Sequence, residues 1–219
     1  MREVVRVYKF CNEEFGLSNL AKGRLKISTL DDLNDPYEFN GFSFSTVQSR
    51  HLWDRVRKLT FQNSGLLCFS KTWSNPVLWS HYADSHKGMA LGFDVPTDLL
   101  LAITYTKHRP TIPNLSELPA AKHSKLIQSA LVHKYKHWEY ENEVRAFVKA
   151  DEVCPKTNLY FMQFGRNLVL REVILGPRSS LTSAVVREQS ECANVKVVTS
   201  RLAFKNYKVV KQRNPRLQR

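Results

Sequence analysis

The sequence contains no apolar run near the roughly 20 residues that a membrane-spanning helix needs. It has no CxxC pair, no GxGxxG or Walker loop, no internal repeat and no low-complexity linker. Each absence removes a class of protein. A membrane span, a zinc ribbon, a dinucleotide-binding Rossmann unit, a P-loop nucleotidase and a solenoid are all disfavoured. The four cysteines, Cys11, Cys68, Cys154 and Cys192, are widely spaced, which suits reduced thiols better than a disulfide framework. The opening MREVVRVYKF is too charged, and too short in apolar length, for a secretory signal. The expectation is a cytoplasmic protein with no membrane partner. The last stretch, FKNYKVVKQRNPRLQR, has no acidic residue at all.

What is present in excess is positive charge. There are 33 Lys+Arg against 20 Asp+Glu, a net +13 and a pI near 9.7, in 219 residues. Such a surplus favours polyanionic partners through steering and counterion release, so nucleic acid is the expected partner. Lys205, Lys208, Lys211, Arg213, Arg216 and Arg219 concentrate it in the C-terminal strand or tail, residues 205–219, after a single domain over 1–204. The plain alternative for that segment is a frayed, solvated terminus.

Hydrophobic periodicity predicts strands at Val4–Phe10, RLKIST, GLLCFS, KGMALGFDV, LAITYT, LYFMQF, LVLREVILG, VKVVTS and YKVVKQ. Asn12, followed by Glu13 and Glu14, predicts a helix cap, with Gly23 as the stop. Thr46–Leu59 reads as an amphipathic helix with Leu52, Val56 and Leu59 inward. Asn75 before Pro76 opens another helix. Ser116 to about His133 and Leu181 to about Cys192 read as two more. Strands and short helices are interspersed without a regular βαβ repeat. The expected fold is α+β, one domain with mixed or antiparallel sheets.

The stretch KHWEYENEVRAFVK (136–149) raises the functional question. Read as a strand, it puts Glu139, Glu141, Glu143 and Arg145 on one face and Val144, Ala146 and Val148 on the other. The acids then form either a solvated face with Arg145 as a cross-strand partner or one wall of a cleft.

With LNDPYEF (33–39), CFSKTWSNPVLWSHYADSHKGMALGFD (68–94), WEYENEVR (138–145) and REVILGP (171–177), the chain resembles a large bacterial family of unknown function. Its members share an early YK(Y/F), an NDP-aromatic-E, a WSHYAD-x-H-x-G and a W-x-YE-x-E-x-R segment. The shared order spans residues 8 to 177. The family brings no agreed activity.

A second resemblance brings one. In ADP-ribosyltransferases, an aromatic–basic pair on the first strand, a Ser ending a middle strand, and a Glu two residues before a further Glu occur in that order. Here they correspond to Tyr8 and Lys9, to Ser70, and to Glu141 and Glu143. Lys9 departs from the Arg or His of many members, and Arg6 lies on the opposite strand face. The resemblance implies two small split sheets with NAD, as substrate, in the cleft between them. It implies that Glu143 stabilises an oxocarbenium-like ribose and that Glu141 positions or deprotonates the acceptor. Lys9 would hold the pyrophosphate. Ser70 would brace Glu143 or the ribose, and Tyr82 would stack on nicotinamide. Asn34 and His81, from the same motifs, join Tyr8 in the dinucleotide-binding set. No metal is required.

Every one of these residues has a plainer role open to it. In that plainer reading Ser70 ends a strand as any serine does, NDP is a good turn, and Glu38 pairs with a nearby base. Trp79, Tyr82 and His86 fall at helical spacing as core and boundary residues would, and Lys9 is a solvated strand charge. His81 and His86, five apart, are poorly placed for one metal ion. The leading expectation is an NAD-dependent ADP-ribosyltransferase acting on nucleic acid, in a toxin or anti-phage role with an unidentified antitoxin or defence partner. Its rivals are a non-enzymatic nucleic-acid-binding module and a Mg²⁺-dependent nuclease built on Asp35, Glu38 and Glu143.

Overall fold

Local signals start and stop the first elements as their residues dictate. β1 (Val4–Cys11) leads into α1 (Glu13–Ala21), where the Asn12 side chain accepts the Phe15 N–H and Glu13 and Glu14 fill the first turn. Both features satisfy or complement the free amides of a helix start. Gly23, at φ +55°, takes the left-handed turn that ends the helix. β2 (Arg24–Lys26) and β3 (Ser43–Phe44) follow. Thr46 caps α2 (Val47–Phe61) by accepting the Ser49 N–H, and β4 (Ser64–Ser70) comes next. Asn75 caps α3 (Pro76–Tyr82), whose first residue is a proline, before β5 (Met89–Pro96). Then come β6 (Leu101–Ala102), β7 (Thr104–Thr106), β8 (Thr111–Ile112), α4 (Ala120–Val132) and β9 (His133–Tyr135). β10 (Glu143–Lys149), β11 (Val153–Cys154), β12 (Leu159–Gln163), β13 (Val169–Leu175), α5 (Ser183–Gln189), β14 (Lys196–Leu202) and β15 (Val209–Lys211) complete the chain. The computed structural model describes residues 2–112, 114–192 and 195–218, with the backbone alone at 116, 120 and 121.

The fold is α+β in a single domain. Its main sheet has eight strands in the order β15-β14-β13-β5-β1-β4-β10-β6. β13 and β14 are parallel and flank α5, and the other described pairs of this sheet are antiparallel. One junction differs from the rest. β1 pairs with β5 from Val4 to Cys11, and β4 pairs with β10 along its whole length, but β1 meets β4 only at Tyr8–Ser70. The sheet therefore forks between β1 and β4 into two half-sheets.

The packing follows the fork. One face is covered by α1, α5, β2 and the residue after β2 through Leu20, Val186, Leu25 and Ile27, which bury Val7, Leu67, Phe69, Leu91 and Val144. The opposite face is covered in two pieces. α3 sets Leu78 and Trp79 on Phe10, Ala90 and Ile174 of one half-sheet. α2 and α4 set Trp53, Phe61, Ala130 and Leu131 around Leu66 of the other. A gap is left between these two apolar clusters, on the face that carries Tyr8, Ser70 and Glu143.

Several expectations are corrected. The stretch 136–149 is not one strand. Lys136–Glu141 forms a 3-10 helix, Asn142 turns left-handed at φ 45°, and β10 begins at Glu143. The alternating-face pattern therefore fails for Glu139, which is exposed and pairs with Lys136. LAITYT is split into β6 and β7 because its two ends pair with different strands, β10 and β9. Leu59 is 71% exposed, and Trp53 takes the inward position on α2 instead. The basic C-terminal segment forms part of the expected YKVVKQ strand, and only the alternative of a frayed terminus is set aside. β15 pairs with β14, and Val209 is fully buried.

Candidate functional site

The fork opens into a cleft of about 190 Å³ lined by Tyr8, Lys9, Ser70, Tyr82, Glu141 and Glu143, with Asn34, Glu38, Cys68 and Lys134 beside them. Register explains the convergence. Tyr8 faces Ser70 across β1 and β4, and Glu143 faces Ser70 across β10 and β4. Cross-strand partners point to one face of a sheet, so three residues far apart in sequence form one row at the point where the sheet splits.

Behind the row lies a cluster of buried charge. Lys134 Nζ reaches Glu38 at 3.0 Å, Glu141 at 2.6 Å and Glu143 at 3.1 Å. Arg145, fully buried, donates Nε to Glu143 Oε1 at 2.7 Å and Nη2 to Glu143 Oε2 at 3.0 Å and to Glu38 Oε1 at 2.8 Å. Its Nη1 donates to the Leu131 carbonyl at the end of α4. Three carboxylates against two cations leave one negative charge in excess. Tyr82 Oη donates to Glu141, and Asn34 lines the same cleft.

Several elements bring these groups together. Glu143 and Arg145 share a face because they are two apart on β10. Lys134 is the middle residue of β9, which pairs in parallel with β7 directly after α4. Glu38 sits on a tight turn in which Asp35 Oδ1 accepts the Tyr37 N–H and the Asp35 carbonyl accepts the Glu38 N–H. Trp53 Nε1 holds that turn through the Phe39 carbonyl at 2.8 Å. The left-handed Asn142 lets Glu141 turn back beside Glu143.

The charges are tuned in opposite directions. Burial would raise Glu143, but Arg145 and Lys134 outweigh it and bring the carboxyl down from 4.5 to about 2. For Glu141 burial wins over the attraction of Lys134, so its carboxyl is held above the usual range. Burial would lower Lys134, yet Glu143, Glu38 and Glu141 keep it charged. Burial pushes the Cys68 thiol up to about 12, so it is a neutral wall of the cleft rather than a nucleophile. A firmly ionised carboxylate and a second one biased toward protonation, side by side, are the arrangement from which acid–base roles divide.

The remaining site residues sort as follows. Lys9 is half-buried at the cleft, and among the described residues it has no carboxylate within ion-pair distance. Arg6 cannot replace it, because it lies on the other face of β1 and is held by Asp94 at 2.6 Å and Glu172 at 2.9 Å. Tyr8 Oη donates to Glu172, and burial ahead of that carboxylate raises the phenol to about 12. Ser70 does not brace Glu143 by a hydrogen bond. Its Oγ accepts the Thr72 N–H at 3.2 Å. His81 lies outside the cleft, exposed and stacked on Tyr140 at 6.0 Å, because it points away from the α3 face that carries Leu78 and Tyr82.

The structure also adds residues. Lys134 has no local sequence signal, since its role depends on β7 and β9 pairing. Glu38 pairs with Arg145 and Lys134, bases distant in sequence, rather than with a neighbour. Arg145 faces Cys68 across β4 and pairs along its own strand with Glu143. Among the described residues, no three His, Cys, Asp or Glu side chains are placed to hold one metal ion. Compared with models of known families, with curated proteins and with solved structures, the chain matches none, so the site rests on its own geometry.

Proposed function

We propose that the protein is an ADP-ribosyltransferase-like enzyme that uses NAD as substrate and modifies a nucleic acid. The observation that carries this reading is the Tyr8–Ser70–Glu143 row at the single β1–β4 pair, with Glu141 beside it. It supports the split-sheet arrangement expected from the order of the motifs.

The chemistry follows from the charges. The cleft is smaller than the ~300 Å³ at which pockets begin to enclose a drug-sized ligand. It receives the nicotinamide riboside end of the dinucleotide and leaves the rest along the open fork. Lys9, which among the described residues has no ion-pair partner, takes the pyrophosphate. Glu143 faces the ribose. As the bond from C1′ to the nicotinamide nitrogen breaks, its electron pair leaves with nicotinamide, which departs neutral. Glu143 stabilises the positive charge that grows on C1′ and O4′. An acceptor lone pair forms the new bond to C1′, and the acceptor's proton passes to Glu141 in its ionised form. Tyr82 keeps Glu141 oriented toward the cleft.

The test is nicotinamide release, with label transfer from NAD to DNA, RNA and protein. Glu143→Gln is expected to lower turnover on the order of 100- to 1000-fold. The fold should survive, because two carboxylates then balance Lys134 and Arg145. No nicotinamide release with any acceptor class, or a Glu143→Gln variant as fast as wild type, would leave the cluster as a structural ion network in a nucleic-acid-binding module. In the cell this reading fits a cytoplasmic toxin or anti-phage effector.

A further inference from the structure

A second pocket shares a wall with the first. It has a volume of about 390 Å³, and both pockets are lined by Glu38 and Lys134. Three chemical groups stand out in its lining. Asp35 and Glu38 are buried carboxylates, Tyr37 and Tyr135 are aromatics exposed by 58% and 48%, and Lys107, His108 and Arg109 are exposed and basic.

The fixed parts of this pocket are well braced. Arg109 Nη2 donates to the carbonyls of Asn40 and Phe42, and its guanidinium lies 5.4 Å from the Tyr37 ring. The Tyr135 ring stacks on His137 at 4.7 Å with the planes within 6°. Two large exposed rings are therefore held by neighbours rather than free to collapse. Lys107 and Arg109 have no carboxylate within ion-pair distance among the described residues. Glu38 Oε2, though 2.8 Å from Arg145 Nη2, is off the N–H direction and accepts no hydrogen bond.

We infer that this pocket binds one nucleotide of a single-stranded nucleic acid. The base stacks on Tyr37, the more exposed of the two rings, and turns an N–H edge toward Asp35 and Glu38, while its phosphates meet Lys107 and Arg109. Each part matches a separate need. Aromatic faces stack bases without regard to sequence. Carboxylates accept from base amino and imino groups. Cations without carboxylate partners neutralise phosphates. An acidic peptide meets the same basic rim but is repelled by Asp35 and Glu38. A duplex stacks its base faces on one another and pairs their Watson–Crick edges, so it presents no face to stack on a ring. The acceptor role of this nucleotide rests on the transferase reading: the shared Glu38–Lys134 wall sets the bound base next to the donor cleft. Binding itself does not depend on that reading.

Fluorescence anisotropy with labelled single-stranded DNA and RNA of mixed sequence tests the inference, with melting curves as the fold control. Tyr37→Ala and Lys107→Ala are each expected to weaken binding on the order of 10-fold or more, and Tyr37→Phe to keep it. Duplex of the same sequence and poly-glutamate are expected to compete poorly. Wild-type affinity in folded Tyr37→Ala and Lys107→Ala, equal competition by duplex or poly-glutamate, or no binding at low salt would each overturn it. The two readings fail separately. Nicotinamide release without oligonucleotide binding removes the nucleotide pocket and leaves the transferase. Oligonucleotide binding lost in Tyr37→Ala, without nicotinamide release from the wild type, removes the transferase and leaves the pocket.

Discussion

Glu141 and Glu143 are two residues apart, yet their carboxyls are pushed in opposite directions. Both are buried. The difference is Arg145, which bonds Glu143 through both Nε and Nη2 and does not bond Glu141. The consequence for stability has a definite sign. Glu143 is lowered in the folded state from 4.5 to about 2, so its ionised form favours folding. That contribution is complete above pH 4.5 and is lost as pH falls through about 2. Glu141 is raised, so its contribution has the opposite sense, being present at low pH and lost as pH rises. Glu143→Gln separates the two. Denaturant unfolding from pH 7 down to pH 2.5 should show a wild-type acid loss that is shallower in the variant. Parallel curves would mean that Glu143 titrates normally despite its partners.

At the scale of elements, the wall carrying Tyr82 is set by the turn between α3 and β5. Asp84, Ser85 and His86 all adopt positive φ, at 43°, 51° and 72°. Gly88 then donates to the Ala83 carbonyl and starts β5 against the β1–α1 junction. A Cβ on Gly88 would stand 2.1 Å from the Cys11 carbonyl oxygen and 2.9 Å from the Asn12 Cα, both backbone atoms that cannot step aside. Gly88→Ala is expected to destabilise the protein by about 1–3 kcal/mol, a fall in Tm of roughly 2–12 °C for a chain of this size. Thermal unfolding checks it, and an unchanged Tm would show that the junction can open without cost. The HKG of the WSHYADSHKG motif therefore has a structural reason that is independent of chemistry.

For the whole molecule, the net charge of +13 is the widest-reaching property. No helix of the described residues is long and apolar enough to cross a membrane. The turn between β14 and β15 carries Phe204 and Tyr207, exposed by 90% and 97%, with Lys205 and Lys208 between and beside them. Removing residues 205–219 would not test this surface cleanly, because it would strip the buried Val209 from the α3-side core. Lys205→Glu with Lys208→Glu leaves the strand intact. If both lysines meet phosphates, single-strand binding should lose about 1.4 from the slope of log K against log salt. A slope equal to wild type would confine nucleic-acid contact to other surfaces.

The sequence by itself determined the starts of α1, α2 and α3, the stop of α1 at Gly23 and the α+β class, but it carried α3 on to His86, past its end at Tyr82. Caps and strand alternation are energies between near neighbours, and Asn12, Thr46 and Asn75 form the bonds their types predict. Motif order also named Tyr8, Lys9, Asn34, Ser70, Tyr82, Glu141 and Glu143, all of which line one cleft. It misplaced His81 and read Lys136–Glu141 as strand, because alternation of acids imitates a strand when the true cause is a 3-10 turn closed by a left-handed Asn142. Only the tertiary structure decided that β1 meets β4 at a single pair, that Lys134 arrives from β9, and that Glu38 shares Arg145 with Glu143. Those contacts join residues up to 107 apart in sequence. Their geometry is fixed by register and by two apolar clusters that pack on one sheet face with a gap between them, which no local pattern encodes.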